Sequence, residues 1–260
     1  MPDGDDEGIF ENRKKPSLGL MLTTDEEIGG ENGVGFLLNK KGYKNDLVIY
    51  PDGGSLLKII IAEKGFFRFK IEAKGKSCHS SRPWKGENAI DRLIEAYLKI
   101  KKIFPKVTVK NNWKETLNLT EISGGEAVNK VPDLAEMDLD IRVTEETNSN
   151  SLYQKISKII SETKGLKIKT FRKGSVLFTP KDNFYLKEYR KICENVLSRK
   201  VELSKEHGAS DVRYFAEKKI PVIIHMPNVD NVHAKNEWLD IKSQEKYYQI
   251  LKKFLEKIFK

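Results

Sequence analysis

The 260-residue sequence predicts an α/β protein in which a smaller α+β domain interrupts the main one. Short continuous apolar runs, typical of strands buried on both faces, occur near both ends of the chain. The middle instead carries strands whose apolar and polar residues alternate. We therefore expect residues 1–63 and 174–260 to form one α/β domain with a mainly parallel sheet, and residues 64–173 to form the inserted domain.

The first part of the chain reads as alternating strands and helices. SLGLMLTT (residues 17–24) is short and apolar, which predicts a buried strand before the turn GGENG. VGFLLNK (residues 34–40) has the pattern of a helix. Two further buried strands are predicted in DLVIYPD (residues 46–52) and LLKIIIAEKG (residues 56–65), and this order favours α/β packing.

The middle part follows the order β-α-β-β-α-β, which predicts a ferredoxin-like antiparallel sheet covered by two helices on one face. Its strands are FFRFKIEA, ETLNLTEIS, LAEMDLDIRV and LKIKTF. In the third of these, Ala135, Met137, Leu139, Ile141 and Val143 are predicted to face the core. The first helix has a predicted apolar stripe of Ile90, Leu93, Ile94, Tyr97 and Leu98; the second has Leu152, Ile156, Ile159 and Ile160.

The last part returns to the first pattern. NFYLKEYRKICENVLSR (residues 183–199) and DVRYFAEKK (residues 211–219) are predicted helices, and IPVIIHM (residues 220–226) is a predicted buried strand. Ser243 is a candidate N-cap for a final helix whose core residues include Ile250, Leu251 and Phe254.

Composition excludes several classes of protein. The formal net charge of +9 raises the possibility of nucleic-acid binding, but the lysines are scattered among core positions and favour a solvated surface. No apolar run is long enough to cross a bilayer, and the N-terminus lacks the apolar stretch of a signal peptide. The two cysteines, Cys78 and Cys193, are far apart. We expect a soluble cytoplasmic protein without nucleic-acid or membrane partners.

Acidic side chains stand at the predicted end of the first strand, in TTDEEIGGENG. Glu26 and Glu27 can be the solvated opening of a helix, and on this stretch alone that interpretation is favoured. Asp52 follows another predicted strand, however, and His233 lies in a polar loop after a third. Because ligands gather beyond the carboxyl ends of strands in open α/β sheets, these side chains are expected to converge. Carboxylates and a histidine from three strand ends suit zinc.

Six motifs in order resemble the M20 family of metal-dependent peptidases and amidohydrolases. They are TTDEEIGGENG, YPDGG, GKSCHSSRPWKGENAI, GGEAVNKVPDLAEMDLDIRV, GASDVRYFAEKKIPVI and VHAKNEW, and the resemblance runs from about residue 17 to the end. It implies a zinc-peptidase-like catalytic domain with an inserted lid or dimerisation domain, and a homodimer formed through that insertion.

The resemblance also implies a role for each matching residue. Glu26 matches the general base, and Glu27 and His233 match ligands of one metal, while Asp52 matches a ligand of the other. The implied metals are two Zn²⁺ ions per complete site, with Co²⁺ or Mn²⁺ as alternatives. His79 matches a histidine that stabilises the oxyanion in the partner subunit's site. Substrate-binding positions are matched by Asn129, Arg142, Ser210 and Asp211.

Structural alternatives stay open for two of these residues. Arg142 lies on the polar face of its strand and can simply pair with Glu136 or Asp140, although a guanidinium also suits a substrate carboxylate. His79 can be an ordinary surface histidine in its loop. We favour the functional interpretation in both cases.

The chain departs from the family pattern at its start. Family members carry a His-x-Asp motif and a bridging aspartate upstream, and residues 1–21 contain no counterpart. We therefore expect an incomplete catalytic domain that binds metal weakly and has little or no activity alone. Asp rather than Glu at position 52 favours dipeptides over N-acyl amino acids as substrates, with a desuccinylase-like deacylase as the alternative. A non-catalytic dimerisation or interaction unit is a further alternative.

Overall fold

The computed structural model describes residues 17–259, which form two compact units. Unit 1 contains the residues up to Glu63, Leu177–Glu206 and the residues from Ser210 onward. Unit 2 contains Lys64–Val176 and His207–Ala209. Within residues 17–259, no helix combines the length and the apolar character needed to span a bilayer.

The elements follow one another in the alternation expected from the sequence. The strands are β1 (Val48–Tyr50), β2 (Lys58–Glu63), β3 (Gly65–Lys74), β4 (Thr116–Gly124), β5 (Leu134–Val143), β6 (Leu166–Gly174), β7 (Leu177–Phe178), β8 (Glu202–Glu206), β9 (Val222–Ile224), β10 (Val229–Asp230) and β11 (Trp238–Leu239). The helices are α1 (Val34–Asn39), α2 (Ala89–Lys101), α3 (Ser149–Glu162), α4 (Phe184–Leu197), α5 (Val212–Glu217) and α6 (Ile241–Ile258).

The sheet of unit 1 is mixed, and its longer pairings are parallel, as the sequence predicts. Strand β1 pairs with β9 in parallel, and β2 pairs with β8 in parallel. The short contacts of β2 with β7 and β9 are antiparallel. The apolar run of β2 is buried from Ile59 to Ala62, as expected for a strand covered on both faces. Helices α4 and α6 supply Tyr189, Ile250 and Phe254 to the core that contains Ile59.

Two predictions in unit 1 are wrong. Residues 17–24 form no strand, and Leu18, Leu20 and Leu22 are 55%, 85% and 82% exposed. The run is apolar enough for a strand, but within residues 17–259 it pairs with no neighbouring strand, so no ladder of hydrogen bonds fixes it. Ser243 does not cap α6, because the cap is Asp240, whose carboxylate accepts the Lys242 N–H. Ser243 is buried and hydrogen-bonds Asn228 and Asp240 instead.

The antiparallel sheet of unit 2 has the strand order β4-β5-β3-β6. This arrangement confirms the β-α-β-β-α-β prediction. Strand β5 buries every second residue, as its sequence alternation predicts, and β3 does the same with Phe67, Phe69, Ile71 and Ala73. Leu93 of α2 and Ile156 of α3 are fully buried in the same cluster, so both helices pack on one face of the sheet.

The core-facing stripe of α2 is rotated from the predicted one. Ala89, Leu93, Ala96 and Ile100 are fully buried, whereas Ile94 and Leu98 are 44% and 50% exposed. Alanine residues face the sheet because they allow a close approach of the helix, and a pattern that counts only large side chains misses them.

Two leucines of α2 provide a matched test of this orientation. We expect Leu93→Ala to lower the free energy of unfolding by about 2–5 kcal/mol, because it leaves a cavity in the unit 2 core. The same change at the half-exposed Leu98 removes little buried area and is expected to cost less than about 1 kcal/mol. Urea unfolding of the two variants measures the difference, and equal losses would contradict the orientation described here.

Candidate active site

Glu26 and Glu27 lie on a short 3-10 turn, Glu26–Ile28, that Asp25 holds in place. The backbone carbonyl of Asp25 accepts the N–H groups of Ile28 at 3.3 Å and Gly30 at 2.8 Å. Its carboxylate Oδ2 accepts those of Asn32 and Gly33 at 2.9 and 2.8 Å. The first member of the acidic triplet therefore shapes the loop and leaves the other two available for chemistry.

Helix α5 anchors this loop from the other side. The carbonyl oxygen of Gly29 accepts hydrogen bonds from the Arg213 guanidinium and from the Tyr214 hydroxyl, the latter at 2.8 Å. Gly30 has φ of +61°, and a Cβ placed there would lie 2.0 Å from Oδ1 of Asp211. Glycine is required here for both reasons. The sequence motif that contains Asp211 also contains Arg213 and Tyr214, whose anchoring role the sequence reasoning missed.

Glu26 is surrounded by other carboxylates. Its pKa is raised, first by partial burial and then by the negative charges of Asp211, Asp52 and Glu27, while Arg213 lowers it. A carboxylate with a raised pKa binds a proton more readily than an ordinary one, which suits a general base. In the fold, the charges of Asp52 and Asp211 therefore act on Glu26 although both residues are far from it in the sequence.

Asp52 follows β1 in an exposed turn of unit 1. The hydroxyl of Tyr50 donates a long hydrogen bond of 3.4 Å to its Oδ2. The pKa of Tyr50 is raised by burial and by the charges of Asp52 and Glu26, so this hydroxyl keeps its proton and stays a donor.

His233 lies in the loop between β10 and β11 with a left-handed φ of 62°. Its Nδ1 is 3.6 Å from Oε1 of Glu27, and both side chains are largely exposed. The two residues are 206 positions apart in the chain (233 − 27), yet the fold places them side by side. An exposed imidazole beside a carboxylate can share a divalent metal with it.

Ser210 contacts a buried carboxylate that the sequence reasoning missed. Glu63, at the end of β2, accepts the Ser210 N–H at 2.9 Å, and the Ser210 hydroxyl lies 3.1 and 2.9 Å from its two oxygens. Burial raises the pKa of Glu63 to about 7, against the lowering effect of these hydrogen bonds. The signal for Glu63 was an acidic residue closing an otherwise apolar strand sequence, IIIAE.

Asp211 is only 1% exposed, and neither of its carboxylate oxygens has a hydrogen-bond partner among the described residues. Arg213 Nη1 lies 3.6 Å from its Oδ1. Burial raises the pKa of Asp211, with Arg213 opposing and Asp25 reinforcing the shift. Its carboxylate lies close to Gly30, in the loop that carries Glu26. From there its negative charge raises the pKa of Glu26.

The donor types in this region fit a divalent metal, but their number is small. Carboxylates and an imidazole are ordinary zinc ligands, and a cation would relieve the repulsion around Glu26. In the part of the chain that the structure describes, however, no group of three His, Cys, Asp or Glu side chains is arranged to hold a metal ion.

Three predicted site residues belong to unit 2. His79 and Asn129 lie on neighbouring segments, because Ser80 N–H donates to the Asn129 carbonyl at 2.8 Å. The Ser81 N–H donates to His79 Nδ1 at 3.2 Å. In the neutral imidazole this leaves the proton on Nε2 of an exposed side chain, where it can be donated to an anion.

Arg142 forms the alternative contact considered from its sequence. Its Nε and Nη2 donate to the two oxygens of Asp140 at 2.7 and 3.3 Å. The guanidinium also lies 5.9 Å from the Phe66 ring centroid. These hydrogen bonds to Asp140 orient the Arg142 guanidinium. A substrate carboxylate would have to displace Asp140 or share the guanidinium with it.

Comparisons with known proteins show which proteins this chain resembles. A peptidase dimerisation domain of the M20 type matches residues 61–166. An uncharacterised metallohydrolase of Methanocaldococcus jannaschii is 28% identical, and a succinyl-diaminopimelate desuccinylase of Rickettsia akari is 26% identical; each alignment covers 94% of this chain and 67% of the relative. The structure of aminopeptidase PepT from Bacillus cereus has a TM-score of 0.77 at 19% identity, covering 92% of this chain and 63% of that one.

A further solved structure carries the family name. It is an M20 metallo-carboxypeptidase from Sulfolobus solfataricus, with a TM-score of 0.66, 17% identity, and coverage of 89% of this chain and 68% of the other. The chain is thus similar to M20 proteins over most of its length, in agreement with the resemblance seen in the six motifs. It spans about two thirds of the length of the curated relatives it matches.

The buried Glu63 makes the stability of this chain depend on pH. Its pKa of about 7 lies above the usual 4.5, so between these values the folded state binds a proton that the unfolded state has lost. The contribution of Glu63 to stability is therefore greatest below about pH 5 and falls as the pH rises to about 7, by up to roughly 3 kcal/mol. We expect Glu63→Gln to remove this decline, as measured by urea unfolding at pH 5 and pH 8.

Glu202, exposed on β8, is the matched control, because Glu202→Gln changes a carboxylate that is not buried. This variant should keep the decline of the wild type. A decline of equal size in Glu63→Gln would show that Glu63 is not its source.

Proposed function

We propose that the protein hydrolyses amide bonds of small substrates in a metal-dependent reaction, with Glu26 as the general base. The observation that carries the proposal is the contact of Glu27 with His233 at 3.6 Å, beside Glu26, whose pKa is raised by partial burial and by the charges of Asp211 and Asp52. The similarity to M20 proteins and the hydrolase names of these relatives support the reaction class. The two free cysteines are compatible with the cytoplasmic location that we propose.

The metal ligands in this proposal come from unit 1. Glu27 and His233 would hold one zinc ion and Asp52 the other, with Co²⁺ or Mn²⁺ as alternatives. Bound metal would polarise the scissile carbonyl and lower the pKa of water.

Glu26 moves the proton. Its carboxylate takes a proton from the attacking water as the water oxygen bonds to the carbonyl carbon. When the C–N bond breaks, Glu26 delivers the same proton to the leaving amine. The raised pKa of Glu26 favours the first half of this transfer, because a carboxylate that binds a proton more readily is a stronger base.

Unit 2 would contribute substrate contacts. We propose that the His79 Nε2–H stabilises the oxyanion in the partner subunit's site, and that Asn129 and Arg142 bind the substrate, Arg142 through its carboxylate. Ser210 and Asp211 in unit 1 complete the proposed set. The contacts of Ser210 with Glu63 and of Asp211 with the Gly30 turn support a role in holding the loop that carries Glu26.

For the substrate, we propose dipeptides, with N-acyl amino acids as the alternative. Asp at position 52 supports the first choice. The solved structures that resemble this fold include an aminopeptidase, a tripeptidase and a yeast dipeptidase, whereas several curated relatives are desuccinylases. Those names belong to the relatives, so the choice between the two classes needs an assay.

We further propose that the 260-residue chain by itself binds metal weakly and turns over slowly. In residues 17–259, one proposed metal has only Glu27 and His233, and the other has only Asp52. Too few protein ligands leave a metal exchangeable with solvent.

Zinc binding and hydrolysis measured on the same purified chain test these proposals. Competition with a chromophoric chelator should show weak zinc binding that Glu27→Gln and His233→Ala each weaken further, at least about tenfold. Glu31→Gln is the matched control, because Glu31 is exposed in the same loop and should bind nothing. Glu26→Gln should keep the zinc affinity and abolish the residual turnover of dipeptides.

Three outcomes would contradict parts of the proposal. A chain without zinc binding would contradict the metal assignment. Tight binding of two zinc ions with ordinary peptidase turnover would contradict the expectation of weak activity. Hydrolysis of N-acyl amino acids in preference to dipeptides would overturn the substrate choice.

Homodimerisation is the second part of the proposed function, and it also applies if the chain is not catalytic. Strand β4 is an edge of the unit 2 sheet and pairs only with β5 among the described strands. Its Ile122 is 42% exposed. An edge with unpaired backbone groups and an exposed apolar side chain is suited to pairing with a second copy.

Sedimentation velocity at micromolar concentration tests the proposed dimer. We expect the wild-type chain to sediment as a dimer and Ile122→Lys to shift it towards the monomer, because the new charge would be buried at the paired edge. Val109→Lys, at a residue that is 93% exposed in unit 2, should leave the dimer unchanged. A wild-type monomer across the concentration range would contradict the proposal.

A further inference from the structure

His225 is a buried histidine of unit 1 whose two ring nitrogens both have partners. It is 0% exposed and follows directly after β9. Its Nε2 lies 3.1 Å from the carbonyl oxygen of Leu56, and its Nδ1 lies 2.9 Å from the hydroxyl of Tyr189.

The partners fix the tautomer of the ring. A backbone carbonyl only accepts hydrogen bonds, so Nε2 must carry the proton and donate it to Leu56. Nδ1 is then the acceptor, and the Tyr189 hydroxyl donates to it. Burial lowers the pKa of His225 to about 4, so the neutral ring persists at physiological pH. Tyr189 itself is fully buried and stacks edge-on against the imidazole.

Leu56, whose carbonyl oxygen accepts the hydrogen bond from His225, belongs to the loop that carries Asp52. We define this loop, residues 51–57, as the Asp52 loop. Residues 225–228 contact it at two more points: the Gly53 N–H lies 2.9 Å from Sδ of Met226, and the Leu56 N–H donates to Asn228 Oδ1 at 3.2 Å. The His225 N–H also donates to the carbonyl of Tyr50, just before the loop, at 3.2 Å. These contacts bracket Asp52 on both sides.

The Asp52 loop needs such external anchors because its own backbone is unusual. Gly53 and Gly54 have φ of +133° and +80°, and a Cβ on Gly54 would lie 2.3 Å from the Lys58 carbonyl oxygen. Glycines lose much conformational freedom on folding, so two in succession make a loop that is costly to order. Contacts from residues outside the loop therefore decide where the exposed Asp52 is held.

Residues 225–228 also lead into the loop that carries His233. The Asn228 N–H donates to Ser243 Oγ at 2.8 Å, and Asp240 N–H donates to the Asn228 carbonyl at 3.0 Å. The next residues form β10, which pairs with β11 on the far side of His233. One anchored segment thus reaches both the Asp52 loop and the base of the His233 loop.

We propose that His225 is a positioning residue that fixes the Asp52 loop through the Leu56 carbonyl and so sets where Asp52 can act as a ligand. The second half of this inference rests on the proposed function, since it takes Asp52 as a metal ligand. The first half concerns the loop alone. Ligands are useful only when their supporting contacts hold them to within about 0.5 Å of the required position.

Hydrogen exchange and zinc affinity of the full chain test the inference with two substitutions. His225→Leu removes both ring hydrogen bonds and should raise exchange at the Gly53 and Leu56 amides at least tenfold. It should also weaken zinc binding about tenfold. His225→Gln keeps a side-chain N–H that can reach Leu56 and should restore most of both properties. If His225→Leu does not fold, Tyr189→Phe serves in its place, because loss of the donor to Nδ1 frees the ring to turn away from Leu56.

A core substitution separates positioning from a general loss of stability. Ile250→Val removes one methyl group from a fully buried position in the same core. It should leave exchange in the Asp52 loop and zinc affinity unchanged. If Ile250→Val raised exchange in the Asp52 loop as much as His225→Leu does, the inference would be overturned.

A double-mutant cycle tests whether His225 acts through Asp52. Zinc binding by His225→Leu with Asp52→Asn should be no weaker than by Asp52→Asn alone, because both changes remove the same ligand contribution. Combined with Glu27→Gln, the His225→Leu effect should multiply. Equal multiplication in both cycles would overturn positioning of Asp52. A wild-type chain that binds no zinc would contradict the proposed function, whereas loop exchange would still decide whether His225 fixes the loop.

Discussion

Repulsion between carboxylates is the constraint on which the candidate site depends. Glu26 is partly buried, and Asp211, Asp52 and Glu27 all raise its pKa, so the fold holds negative charges closer together than they would lie in solution. Such an arrangement persists only if the backbone that carries it is fixed independently. In unit 1, the Asp25 carboxylate fixes this backbone by accepting backbone N–H groups. Arg213 of α5 donates to the Gly29 carbonyl and also supplies the opposing positive charge.

The neighbouring acids Asp25, Glu26 and Glu27 have different roles although they are adjacent in the sequence. Asp25 uses its carboxylate to accept two backbone N–H groups and so belongs to the loop architecture. Glu26 is partly buried, and the charge of Asp211 raises its pKa, while Glu27 is exposed next to His233. A left-handed glycine pair, Gly29 and Gly30, makes this division possible by turning the chain sharply after the triplet.

Sequence patterns predicted elements well where one physical requirement dominates. The alternation of β5 predicted its buried residues correctly, because a sheet with one buried face admits only one register. The helix stripe of α2 was misread because small Ala89 and Ala96 face the sheet, and the strand at residues 17–24 was misread because apolar character does not supply a pairing partner. The site residues were reachable through motifs, whereas Glu63, Arg213 and Tyr214 act through contacts between segments that no local pattern contains.

Burial shifts several titratable groups of unit 1 towards their uncharged forms. Tyr50 and Glu63 have raised pKa values and His225 has a lowered one, so burial shifts each of them towards its uncharged form. Each uses its hydrogen bonds to hold backbone or side chains around the exposed Asp52 and the Ser210 turn. Charge is thereby concentrated on the accessible carboxylates, where a cation can reach it, and the groups behind them serve as a framework of largely uncharged donors and acceptors. A substitution that charged one of those inner groups would disturb the site without touching any residue that meets the substrate.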